Sequence, residues 1–255
     1  MSDFDFTGRA VLVTGGSRGI GRAVAIGFAT GGARVAVHFG SNEAAANRTV
    51  AELAGEDQIV VGGDLGDPAA VARIVDDTAA TFGRLDILVN NAGLYELHPI
   101  AEVTYEEWQA AWARTLAVSL VGAANASYCA ARHMMRAGGG RIVNVSSRGA
   151  FRGEPEGPAY GASKAGLNAL GQSLAVALAP HRISVATVAP GWVETDMTNE
   201  HLKAPRGDAI RAQSPFGRVA TADEIAHAVL FLASDGALFT SGTVIDVNGA
   251  SYLRT

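Results

Sequence analysis

The chain has 255 residues, 48% of them hydrophobic and 18% charged, with 31 glycines, 8 prolines and a formal net charge of −5. That balance excludes a disordered or low-complexity chain, and it offers no basic face for nucleic acid. Cys129, in ASYCAARHMM, is the only cysteine, so no intrachain disulfide and no CxxC motif can form, and it reads as a small packing residue; no metal site is expected. The opening MSDFDFTGRAVLVTGG lacks the basic and apolar regions of a secretory signal, and no apolar run reaches the roughly 18 residues of a membrane span, so a cytoplasmic protein with no membrane partner is expected.

In chain order, short β-branched runs at 9–14, 33–39, 58–63, 86–90, 141–146, 183–189 and 243–247 alternate with stretches of helical pattern at 19–30, 43–54, 68–82, about 105–136, 158–179 and 222–233. Near-continuous apolar strands suit burial on both faces, and regular β-then-α alternation with right-handed crossovers predicts an α/β fold: a doubly wound parallel sheet of seven strands with helices on both faces. No linker, charge block or repeat divides residues 1–255, so one domain is expected. The irregular stretch is polar 194–216, after Pro190-Gly191. Long connections at the carboxyl ends of strands are where such sheets bind ligands, which makes it either a substrate lid or a solvated excursion.

Directly after the first strand comes Thr14-Gly15-Gly16-Ser17-Arg18-Gly19-Ile20-Gly21, leading into a helix. Glycines 15, 19 and 21 permit a tight turn and close approach of the backbone to a pyrophosphate at the helix start. In dinucleotide folds a carboxylate at the end of the second strand binds the ribose 2′-hydroxyl, but here His38-Phe39-Gly40-Ser41-Asn42 supplies none before Glu43. Arg18 offers a charged fork for a 2′-phosphate, favouring NADP(H) while NAD(H) stays possible; the alternative is a surface arginine. Asp64 follows the third strand and Asn90-Asn91-Ala92-Gly93 the fourth, where they could contact adenine or simply cap turns.

Residues 147–164, SRGAFRGEPEGPAYGASK, place Tyr160 and Lys164 four apart, one turn on a helix face. An ammonium there would favour the ionised phenol and bring it toward neutral pH for acid/base work. Between Ser147 and Tyr160 lie Arg148, Arg152, Glu154 and Glu156; Arg152 or Glu154 facing the pocket would favour a polar substrate such as a polyol, sugar or keto acid, unless these charges only solvate the loop. Tyr95, Glu96 and His98 are further pocket-edge candidates.

With TGGSRGIG, NNAG, Ser147, Tyr160-Gly-Ala-Ser-Lys164 and Pro190-Gly191 in order, the chain resembles the short-chain dehydrogenase/reductase family, in its 3-oxoacyl-acyl-carrier-protein-reductase-like subgroup, from residue 6 to about 250. The resemblance implies a Rossmann-type fold and an NADP-preferring oxidoreductase interconverting a small carbonyl compound and an alcohol. It implies Tyr160 as general acid/base, Lys164 lowering its pKa and holding the nicotinamide ribose, and Ser147 orienting the substrate oxygen. Gly15, Ser17, Arg18, Gly19, Ile20 and Gly21 would line the phosphates, Asp64 and Leu65 the adenine, and Asn91, Ala92 and Gly93 the adenosine side. Pro190, Gly191, Val193 and Thr195 would hold the carboxamide. An epimerase or dehydratase on the same fold, or a non-catalytic dinucleotide-binding module, is the alternative.

Two departures stand out. The family's helical Asn, which fixes a helix irregularity and a water linking the Lys to solvent, falls on Ser119, either a shorter relay member or a packing residue. Asn248-Gly249-Ala250 replaces the usual Gly-Gly, and Ala tolerates fewer backbone conformations. Finally, Trp108, Trp112 and the alanine-rich faces of the helices at 105–136 and 158–179 could pair between subunits, and the family implies a dimer or tetramer.

Overall fold

A computed structural model describes residues 4–196 and 198–254. Seven parallel strands form one sheet: β1 (Ala10–Val13), β2 (Arg34–Phe39), β3 (Ile59–Gly62), β4 (Ile87–Asn90), β5 (Gly140–Val145), β6 (Ile183–Pro190) and β7 (Val244–Val247). Their order is β3-β2-β1-β4-β5-β6-β7. The winding reverses between β1 and β4, so the loops leaving these two strands diverge and open a crevice at their carboxyl ends.

The strands alternate their side chains between two cores. Val11 and Val13 face α1 (Gly19–Thr30), α2 (Glu43–Glu52) and α10 (Ala222–Ala233), packing with Phe28 and Ile225. Ala10 and Leu12 face α3 (Pro68–Phe82), α5 (Gly122–Ala137) and α7 (Pro158–Leu178), packing with Val75 and Met134. Burial on both faces explains why the strands read as unbroken apolar runs. Phe28 is fully buried, and its truncation to Ala would cost about 3–5 kcal/mol.

The predicted helix at about 105–136 is three pieces: α4 (Tyr105–Leu116), a π turn over Ala117–Val121, and α5. Two sequence stretches expected to be irregular contain short helices, α6 (Gly149–Arg152), and α8 (Asn199–Lys203) with α9 (Gly207–Arg211) inside 194–216; Met197 of that segment lies outside the described residues. Among the described residues no helix is long and apolar enough to cross a membrane.

Candidate active site

The crevice floor is built by the residues that leave β1 and β4. Gly15 (φ +62°) and Gly19 (φ +53°) take left-handed conformations that side chains disfavour. A Cβ on Gly21 would fall 2.2 Å from the Gly15 carbonyl oxygen, so the loop closes only with glycine there. Asn91 Nδ2 donates to the carbonyls of Thr14 (2.9 Å) and Gly15 (3.0 Å), and Thr14 Oγ1 accepts from the amides of Asn91 and Ala92. The Asn91 side chain is therefore spent on shaping the glycine loop.

His38 is a site residue that the sequence reading passed over. Its Nδ1 accepts from the Gly15 amide at 3.0 Å and its Nε2 lies 3.0 Å from the Gly63 carbonyl, a pairing that requires the neutral tautomer with the proton on Nε2. Burial pushes its pKa down, consistent with that tautomer. A polar ring inside the apolar run RVAVHF was the available signal.

The residues fit a dinucleotide. Asn42, Asp67, Thr104 and Thr221 cap α2, α3, α4 and α10 with side-chain oxygens, but no side chain caps α1, leaving its first N–H groups for an anion. Arg18 is exposed, and among the described residues its guanidinium has no hydrogen-bond or ion-pair partner. A Cβ on Gly40, at the end of β2, would meet nothing within 4 Å. Asp64 Oδ1 accepts from the Gly66 amide at 2.8 Å, capping the turn as one of its two expected readings, while Leu65 is buried beside Gly122. Thr195 stands over the loop, its Cγ2 3.2 Å from where a Gly19 Cβ would be. Pro190 ends β6 and accepts from the Arg148 amide, Gly191 donates to Val247, and Val193 bridges to Ala220.

Ser147, Tyr160 and Lys164 come together beside this crevice. Ser147 follows β5, and its Oγ accepts from the Gly149 amide at 3.0 Å, which orients the hydroxyl. Tyr160, in the first turn of α7, lines the same cavity as Ser147 and meets the Tyr95 ring edge-on at 5.1 Å. Lys164 is buried, donates to the Val145 carbonyl at 2.8 Å, and holds its Nζ 5.6 Å from the Tyr160 ring centroid. Gly93 makes room for it, since a Cβ there would lie 3.2 Å from Nζ and 3.7 Å from Ser119 Oγ. Ser119 is fully buried in the π turn and accepts from the Leu94 amide at 3.0 Å.

In the chain's own surroundings burial, rather than the Lys164 ammonium, sets the direction in which the Tyr160 phenol is shifted. Burial pushes the Tyr160 phenol up to about 12, opposed by the Ser147 hydroxyl and reinforced by the Glu154 charge. The same dry surroundings push Lys164 down to about 8. Desolvation penalises the charged form of both groups.

A cavity of about 400 Å³ opens over Ser147 and Tyr160, walled by Tyr95, Trp192, Arg152 and Glu154, with Arg206 and Gln213 reaching in from the 194–216 segment. Of the other pocket-edge candidates, His98 is a buried clamp: its Nε2 accepts from the Ala159 amide at 3.1 Å and its Nδ1 lies 2.8 Å from the Glu96 carbonyl. Glu96 turns away to Arg114. Trp108 stacks edge-on upon His98 and tilts against Trp112, contacts made within the chain.

A parallel sheet reversing at a glycine loop, with Ser, Tyr and Lys converging beside it, defines a nucleotide-dependent oxidoreductase of the Rossmann type, and comparisons with known proteins agree. The family model described as enoyl-(acyl carrier protein) reductase matches residues 15–250. D-threitol dehydrogenase of Mycolicibacterium smegmatis is 39% identical over 99% of this chain and 96% of its own. L-rhamnose 1-dehydrogenase (NAD(P)(+)) of a Sphingomonas species is 37% identical over 97% of both. A short-chain dehydrogenase from Burkholderia cenocepacia, solved in complex with NADP, superposes with a TM-score of 0.86 at 35% identity, covering 96% of this chain and 98% of that one. The chain belongs to the short-chain dehydrogenase/reductase family.

Proposed function

We propose that this oxidoreductase prefers NADP(H) and interconverts a small carbonyl compound and a secondary alcohol, with Tyr160 exchanging the proton. The observation that carries the reading is the convergence of Ser147 and Tyr160 in the wall of one cavity, with Lys164 behind the Tyr160 ring, on the same chain as the uncapped start of α1. Bound there, the nicotinamide supplies the hydride, so that carbonyl, NADPH and a proton balance alcohol and NADP+. Ser147 donates to the substrate oxygen as negative charge builds on it, and Tyr160, a neutral phenol at pH 7, delivers the proton in reduction. Lys164 sits behind the ring to hold the nicotinamide ribose.

The loop at Gly15, Ser17, Gly19, Ile20 and Gly21 and the α1 amides hold the pyrophosphate. Arg18 binds the 2′-phosphate, a role supported by its exposed guanidinium, unpartnered among the described residues, and by the missing carboxylate after β2. Asp64 and Leu65 take the adenine, Asn91, Ala92 and Gly93 shape the adenosine side, and Pro190, Gly191, Val193 and Thr195 meet the carboxamide. Residues 194–216 close over the substrate as a lid. Exposed Tyr128 on α5 and Val176 on α7, the latter 80% accessible, support pairing of these helices in a homo-oligomer.

The test follows absorbance of the reduced nicotinamide across a panel of alcohols and carbonyl compounds. Wild type turns over substrate with net change in the cofactor, and Tyr160→Phe lowers kcat/KM at least about 1,000-fold while still binding NADPH. Full activity in Tyr160→Phe overturns the reading.

A further inference from the structure

The wall that faces Ser147 and Tyr160 carries five charged side chains, and four of them are engaged. Arg148 donates to Ser251 Oγ (2.7 Å) and Gln213 Oε1 (2.5 Å), and Arg152 donates to the same Gln213 oxygen at 2.8 Å. Arg206 pairs with Glu156 at 3.3 Å and also bonds His201. Glu154 is the exception: among the described residues its carboxylate makes no hydrogen bond and no ion pair.

Its position is nonetheless determined. A Cβ on Gly149 would fall 2.3 Å from Glu154 Oε1, and one on Gly161 3.6 Å from its Cβ and Cγ, so two glycines form the seat in which the side chain lies. The carboxylate is close enough to Tyr160 for its charge to oppose ionisation of the phenol, and both Arg148 and Arg152 act on it without bonding it. It is half-buried, and the surroundings disfavour its ionised form, so a donor reaching it from a ligand gains more than it would from a solvated carboxylate.

We infer that Glu154 is the specificity residue of this cavity, accepting hydrogen bonds from hydroxyls beside the reacting carbinol, and that the substrate class is a neutral polyol or sugar. The inference rests on the oxidoreductase reading above. With Arg206 and Glu156 paired, the wall presents Arg148, Arg152 and Glu154 to a ligand. An anionic substrate would set like charge against Glu154, and a cationic one would meet the two arginines. An acyl chain would cover Glu154 and leave its acceptors unfilled. A hydroxyl both donates and accepts, so adjacent hydroxyls can donate to Glu154 and accept from Arg152.

The experiment measures kcat/KM with NADP+ for four-, five- and six-carbon alditols against butan-2-ol, pentan-2-ol and hexan-2-ol, in wild type, Glu154→Gln and Glu154→Leu. Wild type is expected to prefer at least one alditol over the simple alcohol of equal length. That preference should fall about tenfold in Glu154→Gln and about 100-fold in Glu154→Leu, as for a site left with an unmet substrate hydroxyl. Thermal unfolding and NADPH fluorescence titration confirm folded, cofactor-competent variants, and Glu154→Gln alone decides the matter if Glu154→Leu does not fold. An unchanged preference in the variants overturns the inference, as does a wild type that oxidises the simple alcohols and no alditol, an outcome that leaves the oxidoreductase reading standing. No NADPH binding and no turnover of any compound overturns both.

Discussion

Ser119 Oγ accepts a hydrogen bond from the Leu94 amide at 3.0 Å, tying the π turn between α4 and α5 to the segment that leaves β4. The bond stands directly behind Gly93, which packs on Lys164, so a serine performs the local anchoring at a position where the family resemblance leads one to expect Asn. Ser119→Ala removes the acceptor and leaves the Leu94 N–H without a partner. The expected loss is about 1–2 kcal/mol of stability, read as a lower urea midpoint at unchanged slope, together with a reduced kcat.

Lys164 makes folding depend on pH. Its ordinary value is 10.5 and burial holds it at about 8 in the folded chain, so between these limits the unfolded chain binds the extra proton and stability rises with pH. Below about pH 8 the full penalty of a buried ammonium is present, on the order of 3 kcal/mol. The stability of wild type relative to Lys164→Met is therefore expected to increase from pH 8 to 10 in denaturant melts. A difference that stays flat across that window counts against the buried ammonium.

Because burial keeps the Tyr160 phenol protonated, reduction and oxidation should respond oppositely to pH. A proton donor is present at pH 7 for carbonyl reduction, whereas alcohol oxidation needs the phenolate. The expected kcat/KM for oxidation climbs steadily on the alkaline side and that for reduction falls there, with the residual activity of Tyr160→Phe losing both trends.

Arg18 is predicted to decide the cofactor. Removing a charge-assisted contact to a 2′-phosphate in Arg18→Ala should weaken NADPH about 10- to 100-fold and leave NADH within about threefold. Fluorescence titration with both nucleotides reads the ratio directly, and an equal loss for the two would assign Arg18 to the pyrophosphate instead.

Ala250 has φ +57°, next to Gly249 at +59°. A left-handed alanine costs about 1–2 kcal/mol, partly offset by the greater freedom of glycine in the unfolded chain. Ala250→Gly is expected to stabilise by about 1 kcal/mol, seen as a rise in Tm.

The seven strands, their parallel sense and the glycine loop were legible in the sequence because each depends on local chemistry: β-branched runs buried on both faces, and backbone conformations only glycine adopts readily. The same holds for the approach of Tyr160 to Lys164, which helix periodicity dictates. What only the tertiary structure decided depends on groups far apart in the chain. His38 joins the glycine loop to the end of β3, His98 turns out to clamp the α7 amide at Ala159, and the helix at 105–136 breaks into a π turn around Ser119. The acidity of Tyr160 belongs to this second group, since a four-residue spacing places a cation nearby but only packing sets how dry the pair is. Among Arg148, Arg152, Glu154 and Glu156 the sequence could not tell which charge was unpaired, because their partners Ser251, Gln213 and Arg206 arrive from 50 or more residues away.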